Sequence, residues 1–476
     1  MDKDLPPLWK HQLESIERSK TLPYFALLHE PGVGKTRTVL EILRNLCNQN
    51  KRLHKTLVVT PLITFRNWVN EIHRYTKIDL YNVAILEGSQ KDRCEILAKD
   101  FLAGSKKIAI VNYEALATMS NMVEGLVKWG PEVVIADEMH RIKNHTSKAF
   151  KAICRLGDKA EYRYGLTGTP ILRSPMDIFG QWRFLDKGRA FGQNFFAFRG
   201  QYFYDKNAGM PKANHFPNWQ PRPGILAEFD RLMQPYSSVA RKEDVLDLPP
   251  LIKTRIDVEL SAKQRRNYDE LKADFITWLH GQGGSEPIVV QTALVKLLRL
   301  LQITSGFISD GEQETSYSDN PKASALDELL DTLLPNKVII WACFIKDYEA
   351  IRKVVAKHKV QWVECHGGIS NNKKFEAVER FTKDPEVKVF IGHPASLGIG
   401  INLVEAKYMI YFSRSFSLGD DIQSEARNYR GGSEIHDSVT RYDIVATGTV
   451  DDVVLKALYT KKEIGMELIQ RLSVDD

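Results

Sequence analysis

Tyr24–Thr36 reads YFALLHEPGVGKT: an apolar, strand-like run, then a loop with two glycines, then Lys35 and Thr36 at the head of a helix-like run, TRTVLEILRNL. A strand that runs into a Gly-rich turn at a helix N-terminus presents backbone N–H groups to phosphates, and the glycines allow close approach. In that setting Gly32 and Gly34 line the cradle, Lys35 reaches the β- and γ-phosphates, and the Thr36 hydroxyl ligates Mg²⁺. The first glycine of G-x-x-x-x-G-K-[ST] is missing, and His29 stands in its place.

Further along, Val133–Asn144 reads VVIADEMHRIKN, with Asp137 and Glu138 adjacent at the end of an apolar run. Alone, two such carboxylates fit a solvated strand end and a metal-and-water site equally well. Beside a P-loop the second reading gains, because the carboxyl ends of parallel strands share one edge of a sheet. Asp137 would then hold Mg²⁺ and Glu138 would orient or deprotonate the attacking water, two tasks that require negative charge beside a hard cation. GLTGTP, Gly165–Pro170, places Thr167 and Thr169 after another strand-like run, where hydroxyls could sense the metal site; it also reads as an ordinary turn. QSEARNYRGG, Gln423–Gly432, spaces Arg427 and Arg430 three apart, hence on one face of an expected helix. They are either a solvated face or, in a two-lobed nucleotide hydrolase, arginine fingers on the γ-phosphate. SLGIGINL, Ser396–Leu403, is a Gly-rich loop suited to a phosphate chain, or a plain turn.

At 476 residues the chain exceeds one comfortable core, and two or three domains are expected. Sixty-six Lys and Arg against sixty Asp and Glu leave a net charge of +6, which permits a nucleic-acid partner without requiring one. The five cysteines are scattered, with no C-x-x-C spacing, so neither a disulfide framework nor a zinc site is expected. MDKDLPPLWKHQ carries no apolar signal region and no run approaches a membrane span. The expectation is a cytoplasmic protein (host cytoplasm if viral), with no membrane partner.

Short apolar runs alternate with helix-length segments in two series, one before about residue 170 and one after about residue 322. Two α/β lobes with parallel sheets follow. The expected domains are 1–250 for the first lobe, 251–321 for a helical protrusion and linker, and 322–476 for the second lobe. An aromatic–basic stretch within about 185–235 (FFAFRGQYFY at its heart) would either stack bases or form the core of a small helical insertion.

These elements, in this order, resemble superfamily-two helicases, and their details resemble the Swi/Snf-like DNA translocases from Leu8 to about Lys462. LWKHQ resembles the adenine-contacting Gln motif, which implies a role for Gln12. HEPGVGKT and IADEMHRIKN resemble motifs I and II, with Met139 where the family has Ala or Gly. TPLITFRNWVNEI (Thr60–Ile72) resembles motif Ia, including the Trp of this branch. IVNYEAL resembles motif Ib, and GLTGTPI motif III, with Arg173 in place of the usual Asn. VARKEDVLDLPPL and ELSAKQRRNYDEL match the linking segments. HGGIS (His366–Ser370), SLGIGINLVEA and Gln423-x-x-x-Arg427-x-x-Arg430 resemble motifs IVa, V and VI.

The resemblance implies two RecA-like lobes with helical insertions, and ATP bound between them with Mg²⁺. Phosphates would lie on lobe one (Gln12, Gly32, Gly34, Lys35, Thr36, with Gly400 from motif V), and the catalytic set would be Lys35, Asp137, Glu138, Arg427 and Arg430. His140, Thr167, Thr169 and Gln423 would couple hydrolysis to motion. Duplex DNA would cross both lobes, contacted through phosphates, with Arg66, Asn112, Tyr113, His366 and Ser396 as candidates; Arg66 and Tyr113 could equally be structural. The expected function is a monomeric ATP-dependent translocase on duplex or branched DNA. A strand-separating helicase on DNA or RNA, or a motor subunit of a defence or restriction complex, are the alternatives.

Overall fold

The computed structural model describes residues 5–172, 174–209, 217–281, 286–309, 314–395 and 401–473, with backbone alone for 275–281, 286–294, 309, 314, 371 and 464–473. Ser396, Gly400 and Arg173 therefore lie outside the described residues.

The first lobe contains β1 (Tyr24–His29), β2 (Thr56–Val59), β3 (Val83–Ile85), β4 (Ile108–Val111), β5 (Val133–Asp137) and β6 (Tyr162–Leu166). A short antiparallel ribbon, β7 (Phe203–Asp205) with β8 (Trp219–Pro221), precedes β9 (Ser237–Ala240). Its sheet runs β3-β4-β2-β5-β6-β1-β9, and every pairing is parallel. Helices cover both faces, as the continuous apolar strands require. Alternate residues of one strand enter opposite layers: Val134 and Ala136 belong to one core, Val133 and Ile135 to the other.

The second lobe is built on β10 (Leu251–Val258), joined after a small β11–β12 hairpin (Phe307–Ser309 with Glu314–Ser316) by β13 (Val338–Trp341), β14 (Gln361–Cys365), β15 (Val387–Gly392), β16 (Tyr408–Tyr411) and β17 (Val439–Ala446). Its order is β10-β17-β16-β13-β15-β14, again parallel throughout. The α/β reading with two parallel sheets thus describes the molecule.

Two details differ from the expectations. Residues 251–258, placed in the helical protrusion, form an edge strand of the second sheet. Their exposed, charged alternation (LIKTRIDV) hides the pattern, because an edge strand buries only part of its surface. The aromatic insertion is only partly helical: two short helices, Phe195–Tyr202 and Ile225–Met233, flank the β7–β8 ribbon. Its rings make a core, with Phe191, Phe198, Tyr202 and Phe203 buried around Phe229. That packing decides between the two readings, although Phe196 stays 64% exposed.

The lobes are linked through residues 241–250, between β9 and β10. The last helix, Val450–Ser473, returns to pack on both β17 and β9.

Candidate functional site

Topology brings the motifs together. The P-loop leaves β1, the DEMH segment leaves β5, and β6 lies between those two strands. The turn after β6 is thereby wedged between phosphate cradle and acidic pair. Gly168 shows how tightly: a Cβ there would stand 2.7 Å from Pro31 Cδ and 2.9 Å from the His29 carbonyl oxygen.

In the P-loop, Gly34 caps helix Lys35–Asn50 at φ 82°, a left-handed conformation that other residues adopt at a cost. The Lys35 ammonium donates to the carbonyl oxygens of His29 (2.8 Å) and Glu30 (3.2 Å). Burial pushes Lys35 below its ordinary range, while Glu138, Asp137 and Glu30 pull it back. His29 is explained by its surroundings: the imidazole is fully buried, 2.9 Å from the Ser238 hydroxyl of β9 and edge-on to His11. It ties the P-loop to its neighbouring elements where a glycine would leave a void, and burial holds it neutral, well below the usual histidine range.

Gln12 sits at the mouth of the loop. Its Oε1 accepts from the Trp9 backbone N–H at 2.9 Å, and its Nε2 donates to the Gly34 carbonyl at 3.3 Å.

Asp137 ends β5, and Glu138 turns the chain at φ 52° before the short helical turn Met139–Ile142. A non-glycine residue in that region stores strain of about 1–3 kcal/mol, commonly at functional positions. Asp137 Oδ2 accepts from Thr60 Oγ1 (2.8 Å) and Trp68 Nε1 (3.0 Å). Burial and Glu138 raise the Asp137 carboxyl, against those two bonds and Lys35. For Glu138 burial also works upward, but His140, Lys35 and Arg141 outweigh it and hold the carboxyl below its usual range. His140 Nδ1 lies 3.1 Å from Glu138 Oε2, 3.0 Å from Thr167 Oγ1 and 3.5 Å from Thr169 Oγ1. One imidazole therefore joins the acidic pair to the turn after β6.

Met139 is fully buried with its sulfur over Gly165, where a Cβ would overlap it. It fills the space that a glycine leaves open on β6.

Across the cleft, the expected helix ends at Glu425, so Arg427 and Arg430 do not share a helical face. The Arg427 carbonyl accepts from the Leu403 N–H and the Asn428 amide donates to the Ala406 carbonyl, which pull the chain off the helical path. Both arginines nonetheless line the same cleft of about 550 Å³ as Gln12, Lys35, Thr36, Asp137 and Glu138. Arg427 is 4% exposed, and burial pushes it down to about 10, helped by Arg430 and opposed by Glu138. Arg430 approaches Gly32 directly. Gln423 is half-buried on helix Leu418–Glu425, outside the residues that line the cleft.

Two of the DNA candidates are buried. Asn112 is buried, its Oδ1 accepting from Arg93 (2.9 Å) and its Nδ2 donating to Glu114 (2.8 Å). Tyr113 is buried too, and its hydroxyl donates to the Asp137 main-chain carbonyl at 2.7 Å. Tyr113 thereby braces the end of β5, while Asn112 links helices Gln90–Ile96 and Tyr113–Thr118. Arg66 is exposed, with its guanidinium 5.2 Å from the Phe375 ring of the other lobe. His366 is half-buried near the N-terminus of helix Asn371–Lys383, its Nδ1 accepting from Gly368 N–H at 3.2 Å.

Sequence reasoning gave no role to Thr60, Trp68, Glu30 or Lys242. Trp68 and Thr60 lie in the quoted TPLITFRNW run, and an indole among polar neighbours was the available signal.

The profile described as SNF2-related domain matches residues 24–305, more than half of the chain. The profile described as Helicase conserved C-terminal domain matches residues 321–432. The chain is similar to protein p41 of Acyrthosiphon pisum secondary endosymbiont phage 1, 25% identical over 462 residues and covering 93% of each protein. It is also similar to the ATP-dependent helicase MG018 of Mycoplasma genitalium, 23% identical over 460 residues, or 94% of this chain and 40% of that protein. Among solved structures, the Sulfolobus solfataricus SWI2/SNF2 ATPase core in complex with dsDNA is 22% identical with a TM-score of 0.45, covering 99% of this chain and 95% of that one. The chain belongs to the SNF2-related family of helicase-like ATPases.

Proposed function

We propose that this ATPase is a translocase on duplex DNA, which remodels branched DNA or displaces bound proteins. The observation that carries the reading is the cleft itself: phosphate cradle, acidic pair and two arginines, contributed by separate lobes, line one space. A site divided in this way makes hydrolysis depend on how the lobes are placed, which is what a motor needs.

The cradle and its hard oxygen donors fit a magnesium nucleotide. Thr36 and Asp137 are the residues that would hold Mg²⁺, which supplies charge neutralisation on the phosphates when bound. Lys35 exchanges its two carbonyl partners for phosphate oxygens. Glu138 orients or deprotonates the attacking water, with His140 holding the carboxylate toward it. Arg427 and Arg430 stabilise charge that develops on the γ-phosphate.

For DNA, Arg66 in the first lobe touches Phe375 in the second, so the two lobes share one face. Phe375 lies in the first turns of helix Asn371–Lys383, on which Lys373 is exposed and whose N-terminus follows the loop that begins at His366. N–H groups and cations of this kind suit phosphate oxygens and carry no sequence information.

The test is ATP hydrolysis without nucleic acid and with single-stranded DNA, duplex, forked and four-way DNA, or RNA. Stimulation by duplex or branched DNA that weakens steeply with salt is expected. Stimulation by RNA alone overturns the DNA reading, and an unchanged rate in Lys35→Ala overturns the site.

A further inference from the structure

We propose that Lys242 is a positioning residue: it sets the arginine-bearing turn, residues 426–432, against the P-loop from within the hinge between the lobes. The inference rests on Arg427 and Arg430 acting as the fingers of this ATPase.

Lys242 lies two residues beyond the end of β9, at the start of the short turn Lys242–Val245 in the segment that crosses between lobes. Its backbone N–H donates to Glu30 Oε2 at 2.9 Å. Glu30 belongs to the P-loop, and its own N–H donates to the Ala240 carbonyl at 2.9 Å. The Lys242 ammonium meanwhile donates to the Tyr429 carbonyl at 2.9 Å and lies 5.5 Å from the Tyr429 ring. Tyr429 is flanked by the two arginines, so one residue touches the P-loop through its backbone and the arginine turn through its side chain. Four residues on, Leu246 packs against Gly431 at the far end of the same turn.

An ammonium is an expensive group to bury merely to fill space. Lys242 is 8% exposed, and burial pushes it down to about 8 against the pull of Glu30 and Glu425, so it remains protonated at neutral pH. A methionine would fill a similar volume without that cost. The lysine does what methionine cannot: it makes a directional bond to the main chain that carries the fingers. A cavity of about 300 Å³, lined by Glu30, Thr169, Lys242, Glu425 and Tyr429, lies behind this bond. It leaves room for the turn to shift if the bond is broken.

The experiment is steady-state ATP hydrolysis by the full chain carrying Lys242→Met, Lys242→Arg, Arg427→Ala, or Lys242→Met with Arg427→Ala. Lys242→Met is expected to lower kcat about tenfold, the scale of one lost charged hydrogen bond. KM for ATP should stay within about threefold and Lys242→Arg should recover most of the rate, since the loss is of finger placement rather than of uniform ground-state binding. In the Arg427→Ala background, Lys242→Met should cost less than about twofold more, because coupled residues are not additive. A wild-type kcat in Lys242→Met, or an equal loss in both backgrounds, overturns the proposal. If Arg427→Ala itself hydrolyses ATP at the wild-type rate, the finger assignment falls and the proposal with it. If Arg427→Ala is slow while Lys242→Met is not, only the Lys242 proposal falls. Should Lys242→Met fail to fold, Lys242→Gln carries the same comparison.

Discussion

Trp68 Nε1 donates to Asp137 Oδ2 at 3.0 Å, beside a second bond from Thr60 to the same oxygen. Helix Phe65–Tyr75, which follows β2, thereby fixes the carboxylate at the end of β5. Trp68→Phe keeps an aromatic ring, though a smaller one, and removes the donor. A hydrogen bond to a charged group contributes about 1.5–3 kcal/mol, so a fall of roughly 10-fold or more in kcat is expected. Thermal unfolding should move by only a few degrees. Hydrolysis at the wild-type rate would show that Thr60 alone positions Asp137.

Much of this was legible in the residues, for physical reasons. Strands buried on both faces write nearly continuous apolar runs, and a phosphate cradle needs glycines, a lysine and a hydroxyl in fixed order. Hence YFALLHEPGVGKT and VVIADEMH announced both the sheet and the two halves of the first lobe's site. The path of Arg427 and Arg430 was hidden, because the carbonyl and amide bonds that end the helix at Glu425 join segments distant in sequence. The burial of Asn112 and Tyr113 was hidden for a related reason: polar groups suggest a surface, yet both are buried with specific partners. Trp68 and Lys242 act on residues far along the chain, a relation that spacing does not record.

Gly168 offers a steric test of the link between the turn after β6 and the P-loop. The contacts of an added Cβ at 2.7 and 2.9 Å are with proline and backbone, neither of which can swing aside. Gly168→Ala should push the P-loop out of place. The expected outcome is at least about a tenfold loss of kcat/KM for ATP with a stability cost of roughly 1–3 kcal/mol, the usual scale of overpacking. Nucleotide titration and thermal unfolding, measured on the same preparation, check it. Normal nucleotide binding would mean that the turn yields instead.

Arg441 anchors the base of the arginine-bearing segment. It is 2% exposed and pairs with Asp421 (3.0 Å), Glu425 (2.5 Å) and Asp443 (3.1 Å), while Arg414 bonds Asp421 and Asp443 as well. The Tyr411 ring lies beside both guanidinium groups, at 3.8 and 4.5 Å. Removing one partner of a buried network leaves uncompensated charge, at a cost of about 3–5 kcal/mol. Arg441→Met should therefore lower the denaturation midpoint of the second lobe, and equilibrium unfolding in urea reads that loss. An unchanged midpoint would mean that Arg414 and water compensate the three carboxylates.

Asp347 gives stability a pH dependence whose sign runs opposite to the usual carboxylate. It is fully buried, accepting from Ser413 Oγ (2.5 Å) and the Phe344 N–H (3.2 Å). Burial raises its carboxyl to about 7, against those bonds and Lys322. In the unfolded chain an aspartate ionises near 4, so between about pH 4 and pH 7 the folded state holds the extra proton. Stability from this group consequently falls as pH rises through that window and stays low above it. Asp347→Asn can keep both acceptor bonds and cannot ionise. Relative to wild type, the variant should gain roughly 1–3 kcal/mol between pH 5 and pH 8. The two proteins share every histidine, so the difference between their unfolding midpoints isolates Asp347. A difference that stays flat with pH, or declines, would place the Asp347 carboxyl in its ordinary range.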